Sequence, residues 1–334
     1  MGLIIAYFSQ KRKQSKKRLE NLNYKMYNVY CIQNNKKQVK NMNEIQLRAL
    51  AKINLGLDVL RRREDGYHEV KMVMQTIRLF DKIHLIKRSD GKISIETNLP
   101  YLPNNEHNLA YRAADLLKRN FELKEGVHIR LFKYIPVAAG LAGGSSDAAA
   151  VLFGMNRIYQ LGLTLEELME IGVKIGADVP YCLMRGTALA EGIGEKLTRL
   201  PACPDCYVLI AKPGINVSTR MVYENLHANE LKIHPDIDGM IAEMAKGNLQ
   251  TMCDKMGNVL ETVTVAQYPI IDTIKTFMKE HGAIGSMMSG SGPTVFGIYD
   301  DLIVAKQAYF DLKMSRLAQN VYLTTTFNIR GRRY

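Results

Sequence analysis

Long apolar runs are missing from this chain of 334 residues. Nowhere do the ~18 uninterrupted hydrophobic residues of a membrane span occur, so no membrane partner is expected. A secretion signal is missing too: the apolar start MGLIIAYFSQ is too short and precedes the basic residues instead of following them. Ala6 occupies the place where N-myristoylation favours Ser or Thr. Cysteine is scarce, with five thiols at 31, 182, 203, 206 and 253. Without a secretion signal, and in a chain long enough to bury its own core, these do not form a disulfide framework. Cys203 and Cys206 make one CxxC with no second pair or nearby His, which is poor for zinc. An apolar strand follows it, not the helix of a redox pair, so the motif reads as incidental. A cytoplasmic location is expected.

Acid is nearly absent from residues 1–41, which hold ten Lys or Arg against Glu20 alone. That segment carries +9 of the formal net charge of +12, leaving +3 for residues 42–334. The basicity therefore describes a leader, not a domain, and no nucleic-acid partner is expected of the body. The leader is Asn/Lys-rich and aperiodic, which predicts disorder. Met42 is expected to be the translation start, with 1–41 untranslated or dispensable. The competing reading is a basic arm that binds nucleic acid.

What remains is ordinary in composition, 47% hydrophobic and 23% charged, and of a length for about two domains. Residues 46–59 read as a strand, RRREDGYH as a turn on Asp65-Gly66, and EVKMVMQTI as the returning strand. Further strands are predicted at 81–87, 92–96 and 127–134, and a helix at 107–119. Thr164 and Glu167 form a capping box for a helix running to about Ile175. Strands at TALAEG, YVLIA and TVFGIY come next, with helices near 218–226, 236–245, 268–281 and 301–317 and a last strand near 321–327. Residues 285–292 read as a Gly/Ser loop. Pro-rich PACP places a boundary near Leu200, dividing 42–200 from 201–334.

The strongest chemical signal is Pro136-Val137-Ala138-Ala139-Gly140-Leu141-Ala142-Gly143-Gly144-Ser145-Ser146, running into an Ala-rich helix. Glycines let a backbone approach a ligand, and a helix N-terminus offers free N–H groups and a favourable dipole to a phosphate. The Ser hydroxyls can reach a phosphate oxygen or Mg²⁺, and Ser146 is a candidate metal contact. No Lys-Ser or Lys-Thr follows the last glycine, so this is not a Walker A loop. HRD, DFG and GxGxxG are also missing.

Motif 136–147 resembles the central motif of the GHMP kinases, a family that includes galactokinase, homoserine kinase, mevalonate kinase and phosphomevalonate kinase. Two more motifs stand in the family order, ALAKINLGLDVL (49–60) and GSMMSGSGPTVFG (285–297). DGYHEV and GADVPYCLMRGTALAEGIGE sharpen the resemblance toward the member acting on a cytidine-bearing alcohol. The resemblance spans 42–334 and implies an α+β two-domain fold. Its N-terminal domain would be like ribosomal protein S5 domain 2 and its C-terminal domain ferredoxin-like. It implies an ATP- and Mg²⁺-dependent small-molecule kinase, monomeric or homodimeric, with 136–146 on the ATP phosphates. By motif, Asp178 would face the acceptor hydroxyl and Lys52 would be its partner. A carboxylate can take a proton from an alcohol or hold it in place, and an ammonium keeps that carboxylate ionised and offsets phosphoryl charge. Asn54, two residues beyond Lys52, would share its strand face and orient substrate. Tyr67 and His68 suit a pyrimidine, by ring face and edge, and Tyr223 would be a second aromatic over that base. Asp147 could assist Mg²⁺ or merely sit in the first helical turn. Another small-molecule kinase of the family, such as homoserine kinase, is the alternative.

Overall fold

The computed structural model describes residues 42–329; the basic leader lies outside the described residues. Strand β1 (Glu44–Arg62) begins with alternating burial and then becomes buried on both faces, as its near-continuous LGLDVL apolar run requires. A tight turn comes next, in which Arg63 N–H donates to the Tyr67 carbonyl (2.7 Å) and Gly66 takes φ +84°. The expected Asp65-Gly66 turn is therefore present, with Asp65 Oδ1 also accepting from Tyr67 N–H at 3.1 Å.

The chain returns as β2 (His68–Arg88), one strand of 21 residues where the sequence suggested two. Residues 78–80, which separated the two expected strands, continue the strand, and Asp81 beyond them is fully buried and paired with Lys133. Residues 70–75 of β2 pair antiparallel with β5 (Thr187–Gly192), and residues 82–88 with β4 (Gly126–Phe132). Strand β3 (Ile93–Thr97) lies parallel to β4, and β6 (Lys196–Arg199) closes the far edge. With β1 on β2, this is a six-stranded sheet.

The chain forms two compact units that interleave. One holds described residues up to Ala49, Phe80–Tyr134 and Gly144–Met184; the other holds Leu50–Leu79, Ile135–Gly143 and everything from Arg185. In the first, α1 (Leu109–Asn120) supplies the crossover that parallel β3 and β4 demand. Helix α2 (Gly143–Ile158) is buried almost all round, as its Ala-rich sequence allows. Helix α3 (Leu165–Val173) carries the expected capping box, Thr164 and Glu167 each bonding the other's backbone, and ends two residues before Ile175. GADVPYC, not anticipated as helical, makes α4 (Val179–Met184), with Pro180 in the first turn where its missing N–H costs nothing. It packs on α3 where Gly172 leaves room, since a Cβ there would meet Val179 Cγ1 at 2.9 Å.

The second unit contains an antiparallel sheet in the order β10-β7-β9-β8, where β7 is Tyr207–Lys212, β8 Gly285–Met288, β9 Val295–Tyr299 and β10 Asn320–Thr325. Residues 285–288 are thus strand, and the loop is confined to 289–294. Helices α5 (Thr219–Glu224), α6 (Ile237–Lys246), α7 (Leu249–Asp254), α8 (Glu261–Gln267), α9 (Ile270–Glu280) and α10 (Leu302–Ser315) complete it. Short α7 and α8 escaped the sequence pattern because one or two turns carry too few residues to show a period. Helices α9 and α10 pack on the four-stranded sheet, a ferredoxin-like arrangement. Val208, Ile210, Phe296 and Ile298 form its core together with Cys203, Cys206 and Cys253. A hydrogen bond to Cys206 and burial hold the Cys203 thiol well above its usual range, so this sulfur behaves as an apolar core atom. No described helix is long and apolar enough to cross a membrane.

Candidate active site

In the second unit, β1 places Lys52 and Asn54 on one face. Lys52 Nζ donates to Asn54 Oδ1 at 2.8 Å, and both residues are buried. The face shared at i and i+2 is the one anticipated. Asn54 Nδ2 turns to Met72 Sδ at 3.5 Å, so the amide is held at both ends. The Lys52 backbone N–H donates to the Leu141 carbonyl (3.1 Å), tying the first motif to the 136–143 loop.

That loop has a backbone form the glycine spacing did not foretell. Ala138, Gly140 and Ala142 all take positive φ, at 50°, 71° and 54°. Left-handed residues alternating with others turn successive N–H groups inward into an anion-binding concavity. Each alanine held there costs about 1 kcal/mol, a strain typical of functional loops. Gly140 is required for a second reason: a Cβ would lie 2.3 Å from the Ser289 carbonyl oxygen. Ser289 in turn donates through Oγ to the Gly140 carbonyl at 3.0 Å, and Thr219 and Ser291 share a hydroxyl contact of 2.7 Å. The second and third glycine motifs are thus joined directly. By contrast Gly143 and Gly144 lie within α2, and a Cβ on Gly144 would only touch Leu109 Cδ1 at 3.4 Å.

Two rings meet at the end of the hairpin. His68 and Tyr223 have centroids 5.2 Å apart and planes tilted by 44°. His68 is buried and its Nε2 has no hydrogen-bond partner. Burial first, and the Arg62 charge second, lower its pKa, so the ring is neutral at pH 7. Tyr67 stands beside it, 60% exposed.

In the first unit, Ser145 and Ser146 open α2; Ser146 is buried, whereas Ser145 is half-buried. Asp147 is buried within α2. Its Oδ2 accepts from Lys133 Nζ at 2.7 Å, and the same ammonium donates to Asp81 Oδ2. Asp81 Oδ1 also accepts the Tyr134 N–H at 2.5 Å. Two buried carboxylates share one ammonium, and Asp147 Oδ1 has no partner. Burial is the largest influence on Asp147 and holds its pKa well above the usual carboxylate range. Sequence reading missed this cluster because its members lie 14 and 52 residues from Lys133. Asp178 belongs to this unit and immediately precedes α4. It is half-buried, with its carbonyl accepting from Cys182 N–H at 3.0 Å. Among described residues no cluster of three His, Cys, Asp or Glu could hold a metal ion.

Residues 108–186 match the GHMP kinases N-terminal domain and residues 240–314 the GHMP kinases C-terminal domain, the two parts that define this class of phosphotransferase. A 4-diphosphocytidyl-2-C-methyl-D-erythritol kinase of Lachnospira eligens is 57% identical over 288 residues, covering 86% of this chain and 99% of its own. That of Lachnoclostridium phytofermentans is 52% identical over 290 residues, covering 87% and 100%. A crystal structure of 4-(cytidine 5'-diphospho)-2C-methyl-D-erythritol kinase superposes with a TM-score of 0.73 at 33% identity, over 84% of this chain and 98% of that one. A homoserine kinase from Cytophaga hutchinsonii shares the fold, with a TM-score of 0.70 at 19% identity. The chain belongs to the 4-diphosphocytidyl-2-C-methyl-D-erythritol kinase family of the GHMP kinases.

Proposed function

We propose that the protein transfers the γ-phosphoryl group of ATP to the 2-hydroxyl of 4-diphosphocytidyl-2-C-methyl-D-erythritol, a step of non-mevalonate isoprenoid biosynthesis. The observation that carries this is the 57% identity to a kinase of that name along 99% of its length. The pocket chemistry supports it. A neutral, buried imidazole with a free Nε2 beside an aromatic ring suits the edge and face of a cytosine, and homoserine offers neither. The left-handed residues at 138, 140 and 142 support assigning this loop to the ATP phosphates. Mg²⁺ would neutralise charge on those phosphates when bound. Half-buried Ser145 is better exposed to reach it than buried Ser146.

In this reading Asp178 holds the acceptor hydroxyl and receives its proton as the new oxygen–phosphorus bond forms and the bond to the β-phosphate oxygen breaks. Lys52, fixed by Asn54, supplies positive charge where the transferring group becomes most anionic. The deciding experiment measures ADP release with ATP and Mg²⁺, offering the cytidylated methylerythritol, homoserine or mevalonate separately. Turnover with the first alone, abolished in Asp178→Asn, is expected. Turnover with another acceptor would sink the cytidine assignment while leaving the kinase.

A further inference from the structure

Beyond the three glycine motifs, the segment MGNVLE (256–261) takes hold of the third one from behind. It docks on β1 through a single parallel bridge: Leu57 N–H donates to the Gly257 carbonyl (2.8 Å) and Val259 N–H to the Leu57 carbonyl (3.0 Å). From there buried Asn258 sends both hydrogens of its amide into the loop, to the carbonyls of Met288 (2.9 Å) and Gly290 (2.8 Å). Its Oδ1 accepts from Leu260 N–H at 3.0 Å, which fixes which way the amide faces. Glu261 accepts the Met288 N–H at 2.7 Å, with its other oxygen on Lys275 at 2.6 Å. Met288 is therefore gripped at both its N–H and its carbonyl, and Gly290 at its carbonyl. Ser289 sits between these two held peptides, and its hydroxyl reaches the Gly140 carbonyl. A Cβ on Gly290 would come within 3.5 Å of both Asn54 Oδ1 and the Gly140 carbonyl, so the gripped loop abuts the ATP loop and the Lys52 support together.

We propose that Asn258 is a positioning residue: by holding the carbonyls of Met288 and Gly290, it sets Ser289 against Gly140 and so fixes the shape of the 136–143 loop for ATP. This rests on the assignment of that loop to ATP. Only an amide can do this work at 258, because two donors and one acceptor are all used. A carboxylate of the same shape would keep the Leu260 cap but set oxygen against two carbonyl oxygens.

The test compares N258D, S289A and the double variant with the wild type, measuring KM for ATP, KM for the cytidylated acceptor, kcat and Tm. We expect about a tenfold rise in KM for ATP in N258D, with KM for the acceptor unchanged. The double variant should be no worse than N258D, since both substitutions break one chain of contacts. A purely structural role would lower Tm and the active fraction, and hence kcat, with KM for ATP unmoved; that result overturns the inference, as do additive effects in the double variant. Should N258D fail to fold, S289A alone must raise KM for ATP at least threefold, and an unchanged value overturns it. A wild type with no ATP turnover sinks the ATP assignment and this inference together, whereas an active wild type with an insensitive N258D sinks this inference alone.

Discussion

Among the single residues, His68 is the one whose charge matters most near neutral pH. Its pKa is lowered in the fold, so the unfolded chain binds its proton more readily. Stability from this residue is present above the ordinary histidine value and is lost as the pH falls through and below that value. Acceptor binding should follow the same curve, because a protonated ring can no longer accept through Nε2. Titrating KM for the acceptor from pH 8 down to 5 should show a plateau and then a rise, absent in His68→Ala, whose KM is about tenfold higher throughout. Asp178→Asn and Lys52→Ala should each lower kcat by ~10²–10⁴ with Tm nearly unchanged, read by steady-state kinetics and calorimetry. Lys52 was legible through the family motif, and strand alternation then placed Asn54 on its face. Asn258 was not: an Asn between Gly and Val reads as a turn, and its partners lie 30 and 32 residues away.

Elements explain more of the loop than their residues do. The 136–143 loop was legible as glycine-rich, but its left-handed alanines at 138 and 142 were not; they flank Leu141 and Gly140, which are tied to β1 and to Ser289. Gly140→Ala forces a side chain into the Ser289 carbonyl and should cost at least ~2 kcal/mol of stability along with ATP affinity, measurable by denaturation and nucleotide titration. The Asp81–Lys133–Asp147 cluster joins β2, the end of β4 and α2. Removing the shared ammonium with Lys133→Met strands two buried carboxylates and should cost about 3–5 kcal/mol. Asp147→Asn should cost little or raise Tm at pH 7. Asp147 has its pKa raised in the fold, so its favourable contribution exists at acid pH and is lost as the pH rises through the folded value. The advantage of the Asn variant should therefore shrink toward pH 4. The sequence could not show this cluster, because opposite charges that far apart in the chain carry no period.

The whole molecule was legible in class, since hairpin, capping box and three ordered motifs are all present, while its compact units follow contacts between segments distant in the chain, which carry no local signal. The path passes from one compact unit to the other at five points, after Ala49, Leu79, Tyr134, Gly143 and Met184. A break at Leu200, which looks like a natural seam in the sequence, severs neither unit from the other. It leaves a 42–200 fragment holding the first unit plus strips of a second whose remaining strands are gone. That fragment should give no cooperative melting transition, whereas 42–334 should. Because Leu50–Leu79 and Ile135–Gly143 belong to the same compact unit as the residues from Arg185 onward, that unit is complete only once the last third of the chain has been synthesised.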